Sequence, residues 1–329
     1  MKITYFFRHP AIGFSIHHVF KPIIDEMKQK NSVSIYEMPQ KGSMPWDVIR
    51  NTRFTYKRRN RESINHVTGH IHDVLLALPG VKTILTIHDL VFLDNVSNPI
   101  KYFYKWLFWL YLPVKIADKV VCISNKTKEN VLKHIQTDQL TVIYNPIDPI
   151  FEYIPKKFNR DKPVILHIGT GWNKNLKRTT EALRGINCHL RIIGKLKPEQ
   201  IQLLKQTKTD YSNAFNLTDE EIRKEYIKSD LVNFPSVYEG FGMPIIEGQK
   251  TGRVVITSKI EPLIEVSGNA VIFVDPLSVD SLHSAYLQII NNSTQREKLI
   301  ANGLKNTERF ITSKITQQYM DLYQQLAVK

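Results

Sequence analysis

The sequence predicts an α/β protein of two Rossmann-like domains facing each other across a cleft, on three observations. Apolar runs at 3–7, 83–87 and 164–168 each give way to a polar turn and then a helical pattern, which is how parallel βα units read. A polar, basic stretch at 142–162, opened by Pro146 and Pro149, interrupts that alternation near the middle, as a linker does. Glycines, histidines and carboxylates gather in the turns that follow strands, where open α/β sheets take their ligands. The expected domains are 1–155 and 156–312, with a further helix after them.

Bulk properties narrow the function. A length of 329 residues suits about two domains with a core in each. The formal net charge is +14; residues 1–155 carry 20 Lys+Arg against 13 Asp+Glu and the remainder 25 against 18, so each part contributes +7. That even excess argues against a single nucleic-acid-binding tail and fits anionic substrates or an anionic membrane surface. Cys122 and Cys188, both in expected strands, can build neither a disulfide framework nor a C-x-x-C metal site, which points to a reducing cytoplasm. The opening residues lack the long apolar core of a signal peptide, and no apolar run reaches the ~18 residues of a membrane span.

In the first half, Ile3-Thr4-Tyr5-Phe6-Phe7 is the first strand, followed by a loop at 8–14 and a helix from Ser15, its expected N-cap, to Lys28. Arg8 and Gly13 in that loop are candidate ligand contacts. A helix at 46–61 carries Arg50 and Arg53 and ends in Lys57-Arg58-Arg59-Asn60-Arg61. A solvated helix end and a membrane or acceptor contact both account for that cluster. Strands at 64–68 and 83–87 enter the histidine turns Gly69-His70-Ile71-His72-Asp73 and His88-Asp89. His70 and His72 lack a supporting third ligand, so a metal site is not expected. The aromatic helix at 101–114 is too short to cross a bilayer; a core helix and a helix lying on a membrane explain it equally. A strand at 120–123 follows, with Ser124 capping the next helix to about 134.

The second half restarts at 164–168 and runs into Gly169-Thr170-Gly171-Trp172-Asn173-Lys174 before a helix at 175–183. A strand, a glycine turn and a helix start coincide there, which suits a diphosphate with Lys174 as counter-charge. A strand at 189–193 and helices near 198–206 and 219–228 follow, the last capped by Thr218. The most informative stretch is Ser236-Val237-Tyr238-Glu239-Gly240-Phe241-Gly242-Met243-Pro244-Ile245-Ile246-Glu247, between the strand 231–234 and a helix that tolerates Pro244 in its first turn. Gly240 and Gly242 let a ligand approach the backbone, and Glu239 and Glu247 can accept hydrogen bonds from sugar hydroxyls. A strand at 253–257, a turn at 265–268, a strand at 271–274 and amphipathic helices at 278–292 and 313–327 complete the chain.

The pair Glu239 and Glu247 around Glu-Gly-Phe-Gly-x-Pro resembles the signature of the retaining glycosyltransferases of family GT4, strongly over 163–276 and more loosely before it. The resemblance implies the GT-B fold and transfer of a sugar from a nucleotide-diphosphate sugar to a hydroxyl acceptor with retention, in surface polysaccharide or glycolipid synthesis. It implies Glu239 at the donor sugar and diphosphate, Glu247 on the ribose hydroxyls, and Gly240, Phe241 and Gly242 presenting backbone N–H groups. Gly169, Asn173 and Lys174 fall at the diphosphate, His88 near the sugar, and the loop at Asn216-Leu217 at the base. The first domain becomes the acceptor side, and 313–329 crosses back onto it. The acceptor is a saccharide or lipid-linked saccharide, nucleic acid is not a partner, and peripheral contact with the inner face of the membrane stays open. No cofactor or metal is expected, since the chain has no D-x-D pair.

Three departures stand out: a lone Gly13 where the family has a glycine pair, Pro146 in place of a glycine, and no arginine ahead of Lys174, where the family's two-cation clamp has its second cation. An epimerase or phosphorylase on the same fold, and a non-catalytic subunit that only binds a nucleotide sugar, are the alternatives.

Overall fold

The computed structural model describes residues 1–13, 15–42, 44–94 and 96–328. Phe14, at the end of the expected first loop, and Lys329, at the end of the expected terminal helix, lie outside the described residues. The chain forms two compact units, Met1–Asp148 together with Thr312 onward, and Pro149–Ile311. The boundary therefore falls earlier than 155/156, because the stretch read as a linker is packed onto the second unit. Phe151 is buried and meets the Tyr226 ring edge-on at 5.4 Å. The Ile154 carbonyl accepts from Arg253 at 3.0 Å, and the Asp230 carboxylate takes the Asn159 and Val164 N–H groups at 3.1 and 2.8 Å while pairing with Lys156.

In the first unit, β1 (Lys2–Phe7), β2 (Ser32–Glu37), β3 (Ile64–Val67), β4 (Thr83–Ile87), β5 (Lys119–Cys122) and β6 (Leu140–Val142) make a parallel sheet in the order β2-β1-β3-β4-β5-β6. The pleat sends successive side chains to opposite faces. Phe6, Val67, Leu85 and Val120 enter one apolar layer, whereas Tyr5, Phe7, Ile64, Ile84 and Val121 enter the other. That second layer is closed by Phe20 and Ile23 of the Ser15–Lys28 helix and by Ile315, Tyr319 and Tyr323 of the terminal helix Thr312–Val328. A buried polar chain fixes the terminal helix on the sheet. Tyr323 Oη lies 3.1 Å from Tyr5 Oη and 2.6 Å from His66 Nδ1, and His66 Nε2 lies 2.8 Å from Thr86 Oγ1. Burial holds His66 neutral, with its pKa pushed down to about 3.

Ser15 is the first helical residue rather than the cap, and its hydroxyl accepts from Arg8 at 3.0 Å. The aromatic stretch divides between core and surface, with Ile100 82% and Phe103 59% exposed at its start. It starts at Pro99 under an Asn98 cap, passes through a π-helical segment Trp106–Tyr111 and ends in Leu112–Ile116. Leu110 and Val114 are fully buried, and Trp106 and Tyr111 pack against the same layer.

In the second unit, β7 (Val164–Ile168), β8 (His189–Ile193), β9 (Tyr211–Ala214), β10 (Leu231–Phe234), β11 (Val254–Ser258) and β12 (Ile272–Val274) form a second parallel sheet, ordered β12-β11-β10-β7-β8-β9. Cys188 sits one residue ahead of β8 rather than within it, and both cysteines are buried and unpaired. The expected turn at 265–268 is a short helix, Leu263–Ser267, stopped by Gly268 at φ 58°, and an unanticipated helix, Ser293–Thr307, precedes the terminal one. Among the described residues, no helix is long and apolar enough to cross a membrane.

Candidate active site

The order of the second sheet decides where its ligand site lies. From β7 the chain winds outward to β8 and β9, and from β10 it winds the other way to β11 and β12, while β7 and β10 are neighbours. The loops leaving these two strands consequently diverge over a crevice at their carboxyl ends, the usual ligand position of such a sheet. Those loops are the ones that hold Gly169 to Lys174 and Ser236 to Gly242.

The two loops are joined by side chains. Lys174 Nζ lies 2.5 Å from Glu239 Oε1 and 4.6 Å from the centre of the Phe234 ring. Asn173 Nδ2 donates to the same Glu239 oxygen at 3.2 Å and to the Tyr238 carbonyl at 2.9 Å, while the Val237 N–H donates to the Asn173 carbonyl at 2.9 Å. Gly169, at φ 95°, is required here: a Cβ would come within 2.8 Å of the Lys174 stem, which lies across its α-carbon. Asn175, left-handed at φ 61° and buried, donates from Nδ2 to the Pro235 and Pro276 carbonyls at 3.0 and 2.6 Å, and its Oδ1 accepts from Arg178 at 3.1 Å. It anchors three loops at once. The helix after it begins at Leu176 and not at 175.

Gly242, at φ 116°, opens the Met243–Lys250 helix, and a Cβ there would meet Leu263 at 2.8 Å. Phe241 is not exposed to a ligand: its side chain is buried and stands edge-on to Phe310 at 5.9 Å, so only its backbone is available for the expected role. Glu247 falls in the second turn of the helix, and its Oε2 accepts from the Tyr226 hydroxyl at 2.5 Å. Tyr226 is fully buried on the Asp219–Lys228 helix, and burial followed by the Glu247 charge raises its pKa well above the usual phenol value, so it stays a donor. Asn216, at φ 57°, follows β9 on the sheet edge, with β8 between that strand and β7.

His167, Asn233, Thr179 and Tyr286 form a buried support behind the crevice. Asn233 Nδ2 faces His167 Nδ1 at 3.0 Å and Thr179 Oγ1 at 3.1 Å, and its Oδ1 accepts from Tyr286 at 2.8 Å. Sequence reading missed Tyr226, Asn175 and this support. Only Asn175 leaves a signal, as an asparagine at a helix start where a left-handed residue is tolerated.

The first sheet has its own switch point between β1 and β3, and His88, Arg8 and His70 lie in loops that leave β4, β1 and β3. His88 Nε2–H donates to the Thr68 carbonyl at 2.8 Å, which leaves Nδ1 as the lone-pair nitrogen. Burial, then the neighbouring His70, pushes its pKa down to about 3, so the ring is neutral. Gly69 makes room for it: a Cβ there would lie 2.5 Å from the imidazole. Arg8 donates to the Gly13 carbonyl at 3.0 Å, and His70 Nε2 stands 3.6 Å from Asp89. His72 Nδ1 donates to the Trp109 carbonyl at 2.8 Å. Among the described residues, no three His, Cys, Asp or Glu side chains gather as a metal site.

Two doubly wound parallel sheets in one chain, with polar side chains collected at their switch points, define the GT-B architecture. The crystal structure of HepE from Anabaena with UDP and glucose has the same fold, with a TM-score of 0.79, 15% identity, and coverage of 98% of this chain and 99% of that one. The chain belongs to the glycosyltransferases of group 1, family 4: the family model for glycosyl transferases group 1 matches 151–306, and that for Glycosyltransferase Family 4 matches 25–151. It is 34% identical over 108 residues to the O-antigen chain mannosyltransferase B of Escherichia coli, covering 33% of this chain and 28% of that protein. It is 26% identical over 223 residues to the UDP-Gal:alpha-D-GlcNAc-diphosphoundecaprenol alpha-1,3-galactosyltransferase of Escherichia coli, covering 59% of this chain and 56% of that protein. The chain thus spans less than two thirds of the length of either relative.

Proposed function

We propose that the protein transfers a glycosyl group from a nucleotide-diphosphate sugar to a hydroxyl acceptor, with retention at the anomeric carbon. The observation that carries this reading is the convergence of Lys174, Asn173 and Glu239 on one crevice between β7 and β10. As the sugar–diphosphate bond breaks, charge grows on the leaving diphosphate, and Lys174 with the backbone N–H groups near Gly242 stabilises it. Lys174 is held by Glu239 before ligand arrives, so the diphosphate engages a lysine already in position. Glu247, oriented by Tyr226, takes the ribose hydroxyls, and Glu239 and His88 serve the sugar. A metal is not called for in this scheme.

The same reading places the protein in polysaccharide or glycolipid synthesis, in the cytoplasm with peripheral contact at the inner face of the membrane. A saccharide or lipid-linked saccharide is the acceptor. The relative named for a diphosphoundecaprenol-linked substrate supports that choice. A thermal-shift panel of nucleotide sugars tests the donor, since a true donor stabilises the fold by mass action. Product analysis with and without acceptor separates transfer from epimerisation or phosphorolysis. No stabilisation by any nucleotide sugar refutes the proposal.

A further inference from the structure

We infer that the outward face of the Pro45–Arg58 helix docks the protein on an anionic lipid surface. At 3.6 residues per turn, Trp46, Ile49, Arg50, Arg53, Tyr56 and Lys57 share one side of this helix, and all six are exposed. Trp46 is 73% exposed, Ile49 53% and Tyr56 54%, with Met44 at 69% just ahead of them. Inward, the helix buries the polar Asn51 and Thr55 and lays Phe54 against the core layer, leaving its largest apolar side chains on the outer face. A helix that served only to cover the sheet would show the reverse pattern.

The charge on this face has a single sign. The helix's one carboxylate, Asp47, is half-buried off to the side, and no ion pair among the described residues uses Arg50, Arg53 or Lys57. Arg58 stacks on Phe54 at 3.9 Å and Arg59 on Tyr56 at 3.4 Å, so the basic edge continues past the helix end. Beside it runs an apolar groove of about 400 Å³ between Ile49, Thr52, Arg53 and Tyr56 of the helix and Leu76 and Ala77 of the short helix His72–Ala77. Cations beside exposed Trp, Met and Ile match a headgroup phosphate lying over acyl chains. A nucleic acid would use the cations but has no place for the aliphatic side chains. The aromatic stretch is a separate element: Trp106 and Tyr111 pack against the core layer, and its exposed Ile100 and Phe103 lie on the Pro99–Lys105 helix.

This deepens the peripheral placement proposed above and is independent of the donor chemistry. The test is co-sedimentation of the full chain at low salt with vesicles of phosphatidylcholine alone and with roughly a third phosphatidylglycerol. Binding to the anionic vesicles is expected. The triple variant Arg50→Gln, Arg53→Gln, Lys57→Gln should lower the partition coefficient about 100-fold, at about fivefold per cation. Trp46→Ala with Ile49→Ala should lower it roughly tenfold at unchanged melting temperature. Brominated acyl chains should quench fluorescence in the wild type and lose most of that quenching in Trp46→Phe, a readout that requires no destabilising change. No binding by the wild type overturns both this inference and the peripheral placement. Wild-type binding with both multiple variants within twofold overturns the helix face alone. Equal binding to neutral vesicles, or tight binding to duplex DNA that ignores Trp46→Ala, overturns the lipid assignment.

Discussion

Tyr226→Phe removes one oxygen from a fully buried ring, and its effect measures what that hydroxyl adds to the placement of Glu247. The hydroxyl donates to Glu247 Oε2 at 2.5 Å, and the ring keeps its edge contact with Phe151 in the variant. A hydrogen bond to a charged group is worth about 1.5–3 kcal/mol, so its loss loosens the carboxylate from the geometry in which the proposed function has it take the ribose. If roughly half of that reaches the ligand, donor Kd weakens by about four- to tenfold, at ~1.4 kcal/mol per tenfold. Because the ribose is held alike before and during reaction, kcat should stay within about threefold. Calorimetric titration of the donor nucleotide sugar, with kcat measured at saturating donor, checks both numbers. Glu247→Ala is the companion variant and should weaken donor binding at least as much. If Glu247→Ala loses affinity while Tyr226→Phe binds within twofold of wild type, Tyr226 only fills space; if neither variant loses affinity, Glu247 does not hold the donor.

Other expectations follow from the same geometry. Lys174→Ala should lower kcat by on the order of 10² through loss of a preorganised cation, with Lys174→Arg recovering only part because a planar fork places its charge differently. A small rate change at equal or raised melting temperature would assign the diphosphate to another residue. Activity should survive EDTA, and loss in EDTA restored by Mg²⁺ or Mn²⁺ would introduce a metal the proposal leaves out. Stability should fall in acid: His66 has a folded pKa of about 3 against 6.5 in the open chain, so below pH 6.5 the unfolded chain takes the proton first. That histidine's share of stability is intact above pH 6.5 and declines toward pH 3, by on the order of 2–3 kcal/mol at pH 4.5. A melting temperature that is flat between pH 6.5 and 4.5 would contradict the buried, neutral ring.

Much of this was legible in the residues themselves. The buried central strands β3, β4, β7 and β10 announce themselves as short apolar runs, and Glu239 with its glycines marks a turn after one of them. The edge strands β2 and β9 were not read, because Ser32–Glu37 is largely exposed and Tyr211–Ala214 half-buried, so neither needs an apolar run. The supposed linker failed for a different reason: prolines and lysines do mark irregular chain, but irregular chain can still be packed when a buried Asp230 and Arg253 collect its backbone groups. Within the candidate site, the loops were found and their supports were not. Tyr226 is separated from Glu247 by a loop and a strand, and no local spacing links a helical tyrosine to a carboxylate of the next helix. Likewise the aromatic stretch showed its composition but not its side; only packing distinguishes Trp106, half-buried, from Trp46, exposed.

The return of Thr312–Val328 to the first sheet has a consequence for the order of synthesis. Residues 149–311 form a unit that is continuous along the chain and can close once it has been made. The first unit, although begun earlier, has to wait: Tyr5, Phe20 and Ile64 lack half of their cover until Ile315, Tyr319 and Tyr323 leave the ribosome. A nascent chain therefore carries an apolar sheet face covered only by the Ser15–Lys28 helix through the making of the whole second unit, the interval in which chaperone occupancy should peak. Release of that occupancy should coincide with the emergence of Tyr323, whose hydroxyl completes the buried chain to Tyr5 and His66.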